Sequence, residues 1–238
     1  MNIVIDVGNT FSKVGIFEND SLRKKEVFGD ADAVRHYLER TPADNLLISS
    51  VAGDGEKISA WSIATRKLIL HHALRFPIQN KYGTPATLGV DRLAAACGAW
   101  LLFKKENSLV IDVGTCITYE FINREGHYLG GAISAGVKMR FEAMHHFTAK
   151  LPLVTPKDGV PLIGNSTTDC LQSGVMNGTL EEIKGTIDRY QIEHPRINVI
   201  LCGGDAHFFE NHLKPSIFVA PDLVLMGLNS ILLHNVNS

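Results

Sequence analysis

Met1-Asn2-Ile3-Val4-Ile5-Asp6-Val7-Gly8-Asn9-Thr10 opens the chain with an apolar run that reaches an aspartate, a glycine and then a hydroxyl. The same design returns at Leu109-Val110-Ile111-Asp112-Val113-Gly114-Thr115, close to half of the 238-residue chain later. Each copy predicts a buried strand that turns tightly into a second strand. Ser12–Phe17 follows the first copy and Ile117–Ile122 follows the second.

Glycine after the aspartate lets backbone N–H groups turn toward an anion with no Cβ in the way. A carboxylate alone repels phosphate, so Asp6 and Asp112 make sense beside one only with cations between. Thr10, Lys13 and Thr115 would then hydrogen-bond phosphate oxygens. A single Asp-x-Gly reads rather as an ordinary hairpin whose aspartate satisfies turn N–H groups. Two copies half a chain apart favour the phosphate reading.

With 45% hydrophobic residues the chain can bury a sizeable core, as one large domain or two small ones. A net charge of −2 supplies no broad basic surface for nucleic acid. No apolar run approaches a transmembrane span, and Met1 leads straight into a strand, so neither a membrane nor a signal peptide is expected. Cys97, Cys116, Cys170 and Cys202 are scattered without a C-x-x-C pair and read as reduced, small apolar residues of a cytoplasmic protein. The pairs His71-His72 and His145-His146 cannot both face one metal from adjacent positions.

The pattern predicts strands at 2–7, 12–17 and 22–28, a helix at 31–39, a buried parallel strand at 46–51, a helix at 56–67 and a strand at 68–73. A helix follows from Val90 to Phe103. The second half repeats this logic, with strands at 109–113, 117–122 and 126–133, then helices at 137–150 and 167–190. A strand at 197–201 ends in Cys202-Gly203-Gly204-Asp205. A helix at 205–212, a strand at 217–220 and a helix at 222–233 close the chain. Antiparallel hairpins leading into βαβ elements, twice over, make this an α/β protein of two similar lobes, 1–107 and 108–238, with an approximate boundary.

Paired Asp-x-Gly-x-Thr hairpins and a late strand ending in Gly-Gly-Asp resemble the actin, sugar kinase and Hsp70 superfamily. That resemblance implies two ribonuclease-H-like lobes, a duplicated actin-like ATPase fold, with ATP in the cleft between them. Tyr82-Gly83-Thr84-Pro85-Ala86-Thr87-Leu88-Gly89-Val90-Asp91-Arg92 resembles the Y-x-x-P-x-x-L-G-x-D-R segment of type III pantothenate kinases. Asp6-Val7-Gly8-Asn9-Thr10 with Lys13 is similar to that family's first phosphate loop, and Asp112-Val113-Gly114-Thr115 to its second. Gly130–Ile133, Gly164-Asn165-Ser166-Thr167 before Gln172-Ser173-Gly174, and Leu201–Gly204 follow in place. Cys116 and Cys202 stand where the family usually has Ala and Thr, Ala135 where Pro is common, and Ser166 where it has Asn.

The resemblance implies a kinase that moves the ATP γ-phosphate to the primary hydroxyl of pantothenate, giving 4'-phosphopantothenate, the first step of coenzyme A biosynthesis. Such a reaction needs a carboxylate to accept the hydroxyl proton. Asp91 suits this at the start of a helix, where negative charge is favoured. By itself it reads rather as an N-cap paired with a neighbour. Arg92 offers a planar fork for the pantothenate carboxylate or amides, and by itself equally a surface ion pair. Tyr82, Gly89, Val90 and Thr167 are the matching substrate positions, and alone Tyr82 and Thr167 are a loop tyrosine and a helix-capping threonine. The resemblance places ATP at Asp6, Val7, Gly8, Asn9, Thr10, Lys13, Thr115, Gly203 and Gly204. It implies Mg²⁺ near Asp6, a monovalent cation (K⁺ or NH₄⁺) at Asp112, and a homodimer with pantothenate at or near its interface. The run Trp100-Leu101-Leu102-Phe103 covers more of a helix than one core-facing stripe needs, so it either meets a second subunit or is buried between the lobes. The alternative is a non-catalytic nucleotide-binding regulator of the same fold, which loss of Asp6, Asp91 or Thr115 would have favoured.

Overall fold

The computed structural model describes residues 1–50, 53–214 and 216–237. Strands β1 (Asn2–Val7), β2 (Ser12–Glu18) and β3 (Ser21–Phe28) lead to helix α1 (Ala31–Leu38). Strand β4 (Asn45–Ser50), helix α2 (Gly55–Trp61), strand β5 (Arg66–Ile69), the short strand β6 (Gln79–Asn80) and helix α3 (Val90–Leu102) follow. Next come β7 (Ser108–Val113), β8 (Cys116–Ile122), β9 (His127–Ala135), α4 (Val137–His146), α5 (Thr167–Glu193), β10 (Asn198–Cys202), β11 (Phe218–Val219) and α6 (Leu223–Val236).

The duplication is visible in the strand order. The first sheet runs β3-β2-β1-β4-β5, and the second, taken from its other edge inward, runs β6-β9-β8-β7-β10-β11. Apart from β6 the two orders are the same, each with a hairpin beside parallel pairs: β1 with β4 and β4 with β5, β7 with β10 and β10 with β11. The chain nonetheless divides into interleaved compact units, residues 1–106 with 121–130 and 222–238, and residues 107–120 with 131–221. The first unit therefore holds the C-terminal helix as well as the first sheet.

Alternation along β1 decides what each face of that sheet meets. Ile3, Ile5 and Val7 pack with Val34, Leu38 and Ile58 of α1 and α2. Asn2, Val4 and Asp6 point the other way, and Asn2 Nδ2 donates to Asn229 Oδ1 of α6 at 3.1 Å. Helix α3 lies on α6 at backbone contact. A Cβ on Gly227 would sit 1.8 Å from the Ala94 oxygen, and one on Gly98 would sit 2.4 Å from the Leu223 oxygen. Only small residues permit this approach, and Ala94, Ala95, Ala96 and Ala99 are all buried along α3.

Several boundaries differ from the sequence expectation. The predicted helix 56–67 stops at Trp61, because Ser62 is extended (ψ 144°) and its Oγ accepts the Ala64 N–H. The following strand begins early, at Arg66, since its register partner is Asn45 at the start of β4. Val51, the last residue of the expected strand 46–51, lies outside the described residues. The helix expected to reach Lys150 ends at His146, where the Thr148 hydroxyl takes the Met144 carbonyl at 2.7 Å. The expected helix 205–212 is two separate 3₁₀ turns, 206–208 and 210–212. All four cysteines are free thiols, with Cys97 and Cys202 buried, Cys116 half-buried and Cys170 exposed. Burial pushes the Cys97 thiol pKa up.

Gly227→Ala should lower stability by about 1–3 kcal/mol through overpacking against α3. Gly185→Ala in α5, where a Cβ meets nothing within 4 Å, should raise it by about 0.5–1 kcal/mol through helix propensity. Denaturant midpoints of the two variants should move in opposite directions.

Candidate functional site

In the first unit the first hairpin closes through four residues, with the Gly8 N–H donating to the Phe11 oxygen at 3.1 Å. The second hairpin, in the second unit, closes through Gly114-Thr115, with the Gly114 N–H donating to the Cys116 oxygen at 3.0 Å. Both glycine amides therefore serve the turn itself instead of facing an anion, and neither glycine has a positive φ. The missing Cβ expected of these glycines matters most at Gly8, where a side chain would come 3.3 Å from the Phe11 oxygen. Asn9, Thr10 and Thr115 are exposed at the turn tips.

Asp6 is half-buried, and its register partners are Lys13 on β2 and Ser49 on β4. The loop's other side, toward α1 and α2, rims a pocket of about 140 Å³ lined by Val7–Ser12, Phe28, Asp30, Asp54 and Trp61, among others. Val7 points there while Asp6 points to the α6 face, so that pocket and the Asp6 carboxylate are on opposite sides of the sheet.

The segment Tyr82–Arg92 builds a second cluster in the same unit. Gly89 is the N-cap of α3 and Asp91 its second helical residue, so Asp91 is not the cap. Its Oδ1 accepts the Arg92 N–H at 2.9 Å. A Cβ on Gly89 would lie 2.4 Å from that oxygen, so a side chain there would displace the carboxylate. Arg92 is only 8% exposed, which excludes the surface ion pair weighed for it. Its guanidinium carbon stands 5.8 Å from the centre of the Tyr82 ring, a cation–π arrangement. Tyr82 in turn lies against Gly130, where a Cβ would be 3.0 Å from the ring. Of the run Trp100–Phe103, Leu101 is 37% exposed. Trp100 packs on Gly126 of its own unit.

In the second unit Gly203 brings the end of β10 onto β7. With φ +97°, a conformation costly for any other residue, it leaves room for the Asp112 carboxylate, whose Oδ1 would be 2.5 Å from a Cβ there. The Asp205 N–H donates to the Val113 oxygen at 2.9 Å. The Asp205 carboxyl is half-buried, and burial pushes its pKa up while His207 pulls it down. Gly136, the N-cap of α4, presses on the same turn, a Cβ there falling 2.3 Å from the Gly114 and Thr115 oxygens. Asp112, Thr115, Gly203 and Gly204 are thus drawn to one end of the second sheet.

Thr167 is elsewhere in that unit, as the first residue of α5. The cap is Ser166, whose Oγ accepts the Asp169 N–H at 3.1 Å, so the serine that departs from the family pattern serves as an N-cap. The Gln172-Ser173 pair ties down the preceding segment: Gln172 Nε2 donates to the Thr155 oxygen and Ser173 Oγ to the Leu162 oxygen, the latter at 2.6 Å.

One network escaped the sequence entirely. Arg140 on α4 donates through Nε to the Ala135 oxygen at 2.9 Å and through Nη2 to Ser134 Oγ at 3.0 Å, and it pairs with Glu182 on α5. Tyr119 of β8 donates to the same glutamate at 3.1 Å. This binds β8, α4 and α5 together around the second turn, and no local spacing announces residues so far apart in the chain.

For a metal, the donors on offer are single carboxylates with other oxygens nearby. Among the described residues no group of three or more His, Cys, Asp and Glu could cage an ion. Asp6 fits a Mg²⁺ carried by phosphates, which keeps several waters and needs only one or two carboxylates. Asp112, whose Oδ1 lies by Gly203 at the end of β10, offers a carboxylate oxygen of the kind that suits a hard cation. No helix among the described residues is long and apolar enough to cross a membrane.

Residues 2–189 match the family model of type III pantothenate kinase. The type III pantothenate kinase of Cytophaga hutchinsonii is 45% identical over 236 residues, covering 99% of this chain and all of that one. Among solved structures, a conserved putative Baf family transcriptional activator from Campylobacter jejuni superposes with a TM-score of 0.67 at 21% identity, covering 99% of this chain and 100% of its own. A putative 2-dehydro-3-deoxygalactonokinase from Sinorhizobium meliloti superposes with a TM-score of 0.58 at 12% identity, covering 98% and 99%. The two structural likenesses concern the fold, which is the α/β fold of the actin-like and sugar kinase ATPases.

The Arg140–Glu182 pair is testable by pH. Burial pushes the Glu182 carboxyl up, but hydrogen bonds from Arg140, Ser134 and Tyr119 outweigh it and leave the pKa below the ordinary glutamate value. A depressed carboxyl contributes stability above its unfolded pKa that is lost as pH falls through the folded one. Because the pair is partly solvated, Arg140→Ala should cost about 1–2 kcal/mol at neutral pH. Denaturation midpoints of parent and variant should converge as the medium is acidified below the usual carboxylate range.

Proposed function

The chain belongs to the type III pantothenate kinase family, and from that premise we propose how its residues divide the work. The protein is an ATP-dependent kinase that phosphorylates pantothenate in coenzyme A biosynthesis. The single observation that carries the residue assignment is the start of α3. There a half-buried carboxylate and a buried guanidinium stand side by side, each already held by the protein.

Asp91 is the general base. With Oδ1 engaged by the Arg92 amide, its other oxygen is the one assigned to the proton of the pantothenate primary hydroxyl, and 4'-phosphopantothenate is the product. Arg92 meets the substrate carboxylate or amide oxygens. Its stacking on Tyr82 removes rotamer freedom before binding, so less entropy is lost when the contact forms. Tyr82, the Gly89-Val90 backbone and Thr167 complete the substrate contacts. Val7, Gly8, Asn9, Thr10, Lys13 and Thr115 receive the ATP phosphates, and Gly203 and Gly204 the adenosine side. Mg²⁺, when bound with ATP, offsets the charge of the phosphates, and Asp6 is its protein carboxylate. Asp112 holds a monovalent cation, K⁺ or NH₄⁺. The working form is a cytoplasmic homodimer with pantothenate at or near the interface, a reading supported by the exposed Leu101 on α3 and by family resemblance. Against a non-catalytic regulator stands the presence of Asp6, Asp91 and Thr115 together.

ADP release that depends on pantothenate is the direct test, and its absence with K⁺ and without it would remove the reading. Asp91→Asn keeps the shape but not the basicity, so turnover should fall roughly 10²–10⁴-fold with binding largely kept. Turnover by the parent should rise with K⁺ and not with matched Na⁺, and Asp112→Ala should abolish the difference. Sedimentation and activity followed over one dilution series should show activity lost with the dimer.

A further inference from the structure

Across the first sheet, Lys13 on β2, Asp6 on β1 and Ser49 on β4 stand in one row, since Asp6 is the register partner of both neighbours. Register partners point to the same face, on neighbouring strands about 4.7–4.9 Å apart. Ser49 is completely buried, and its Oγ has no hydrogen-bond partner in the chain. Such a hydroxyl disfavours the fold, and an alanine would fill nearly the same space without that cost. A buried orphan of this kind needs a reason.

The same two strands carry a second polar pair on the same face, and it behaves differently. Asn45 Nδ2 donates to Asn2 Oδ1 at 2.9 Å, Asn2 to Asn229, and Asn229 Nδ2 to the Asn19 oxygen at 2.8 Å. That chain of amides closes within the protein, so its role is architectural. On the opposite face the next residue, Ser50, donates to Asp54 Oδ1. Between Asn45 and Ser50, the polar side chain left unsatisfied is the one beside the carboxylate assigned to Mg²⁺.

We propose that Ser49 is a positioning residue for Asp6: its hydroxyl donates through a bridging water to the Asp6 carboxylate and holds it in the orientation that receives Mg²⁺ with ATP. A water at this place has two polar partners of the kind that retain buried waters, and Lys13 flanks the carboxylate on its other side. The inference rests on the assignment of Mg²⁺ to Asp6.

ATP binding measured at equilibrium with and without Mg²⁺ separates the two claims, using the parent, Ser49→Ala, Asp6→Asn and the double variant. Mg²⁺ should tighten ATP binding by the parent. Ser49→Ala should reduce that tightening roughly tenfold, with metal-free ATP affinity unchanged and a thermal midpoint equal to the parent's or higher. In the Asp6→Asn background Ser49→Ala should add nothing. Full Mg²⁺-dependent tightening in Ser49→Ala would overturn the role of Ser49 alone, and so would an equal loss of metal-free binding or a lowered midpoint. A parent protein whose ATP affinity ignores Mg²⁺, or an Asp6→Asn variant that keeps the tightening, would overturn the underlying assignment.

Discussion

The backbone contact between α3 and α6 is the constraint on which the first unit depends. Two helices normally stand 8–10 Å apart, spaced by their side chains. Here Gly227 meets the Ala94 carbonyl and Gly98 the Leu223 carbonyl with nothing between. That approach lets the last helix of the chain lie on β1 and β4, where Asn229 joins Asn2, while α3 lies on it. The start of α3, with Asp91 and Arg92, thereby takes its place from residues that follow it by more than half the chain. Every apolar side chain fully buried in that contact contributes about 1.5–3 kcal/mol, but the glycines decide whether the burial can happen.

The second unit solves a similar problem with the same strand order and different fittings. Its hairpin turn is shorter, and it is braced from both sides, by Gly136 at the head of α4 and by Gly203 at the end of β10. Arg140 then joins α4 to Glu182 on α5 and, through it, to Tyr119 on β8. Under the cation assignment proposed for Asp112, its carboxylate would gain from this stiffness. An oxygen that must meet a cation loses affinity when its turn is free to move, because ordering it then costs conformational entropy on binding.

The glycines of the two units do different work. In the Asp-x-Gly turns the Gly8 and Gly114 amides close the hairpins themselves, so an anion there would have to be met by other N–H groups of the turn. Among the glycines that use a positive φ is Gly203, in a segment whose local pattern only marks the end of a strand. Likewise Ser166, in place of the family's asparagine, proves to be the N-cap of α5, and serine and asparagine serve that position about equally well.

The sequence by itself determined the α/β class, the two hairpins with their aspartates, the order of nearly every element and the family, because these rest on period, turn chemistry and short spacings. Where a boundary slipped, as at Trp61 or His146, a side chain or a distant register partner had overridden local propensity. Only the tertiary structure decided that Arg92 is buried against Tyr82, that Arg140 and Glu182 brace the second turn, that the C-terminal helix belongs with the first sheet and that Ser49 stands beside Asp6. Each of these depends on residues far apart in the chain meeting in one register or at one backbone contact. No local pattern of amino acids encodes which of many equally apolar or polar partners will arrive there.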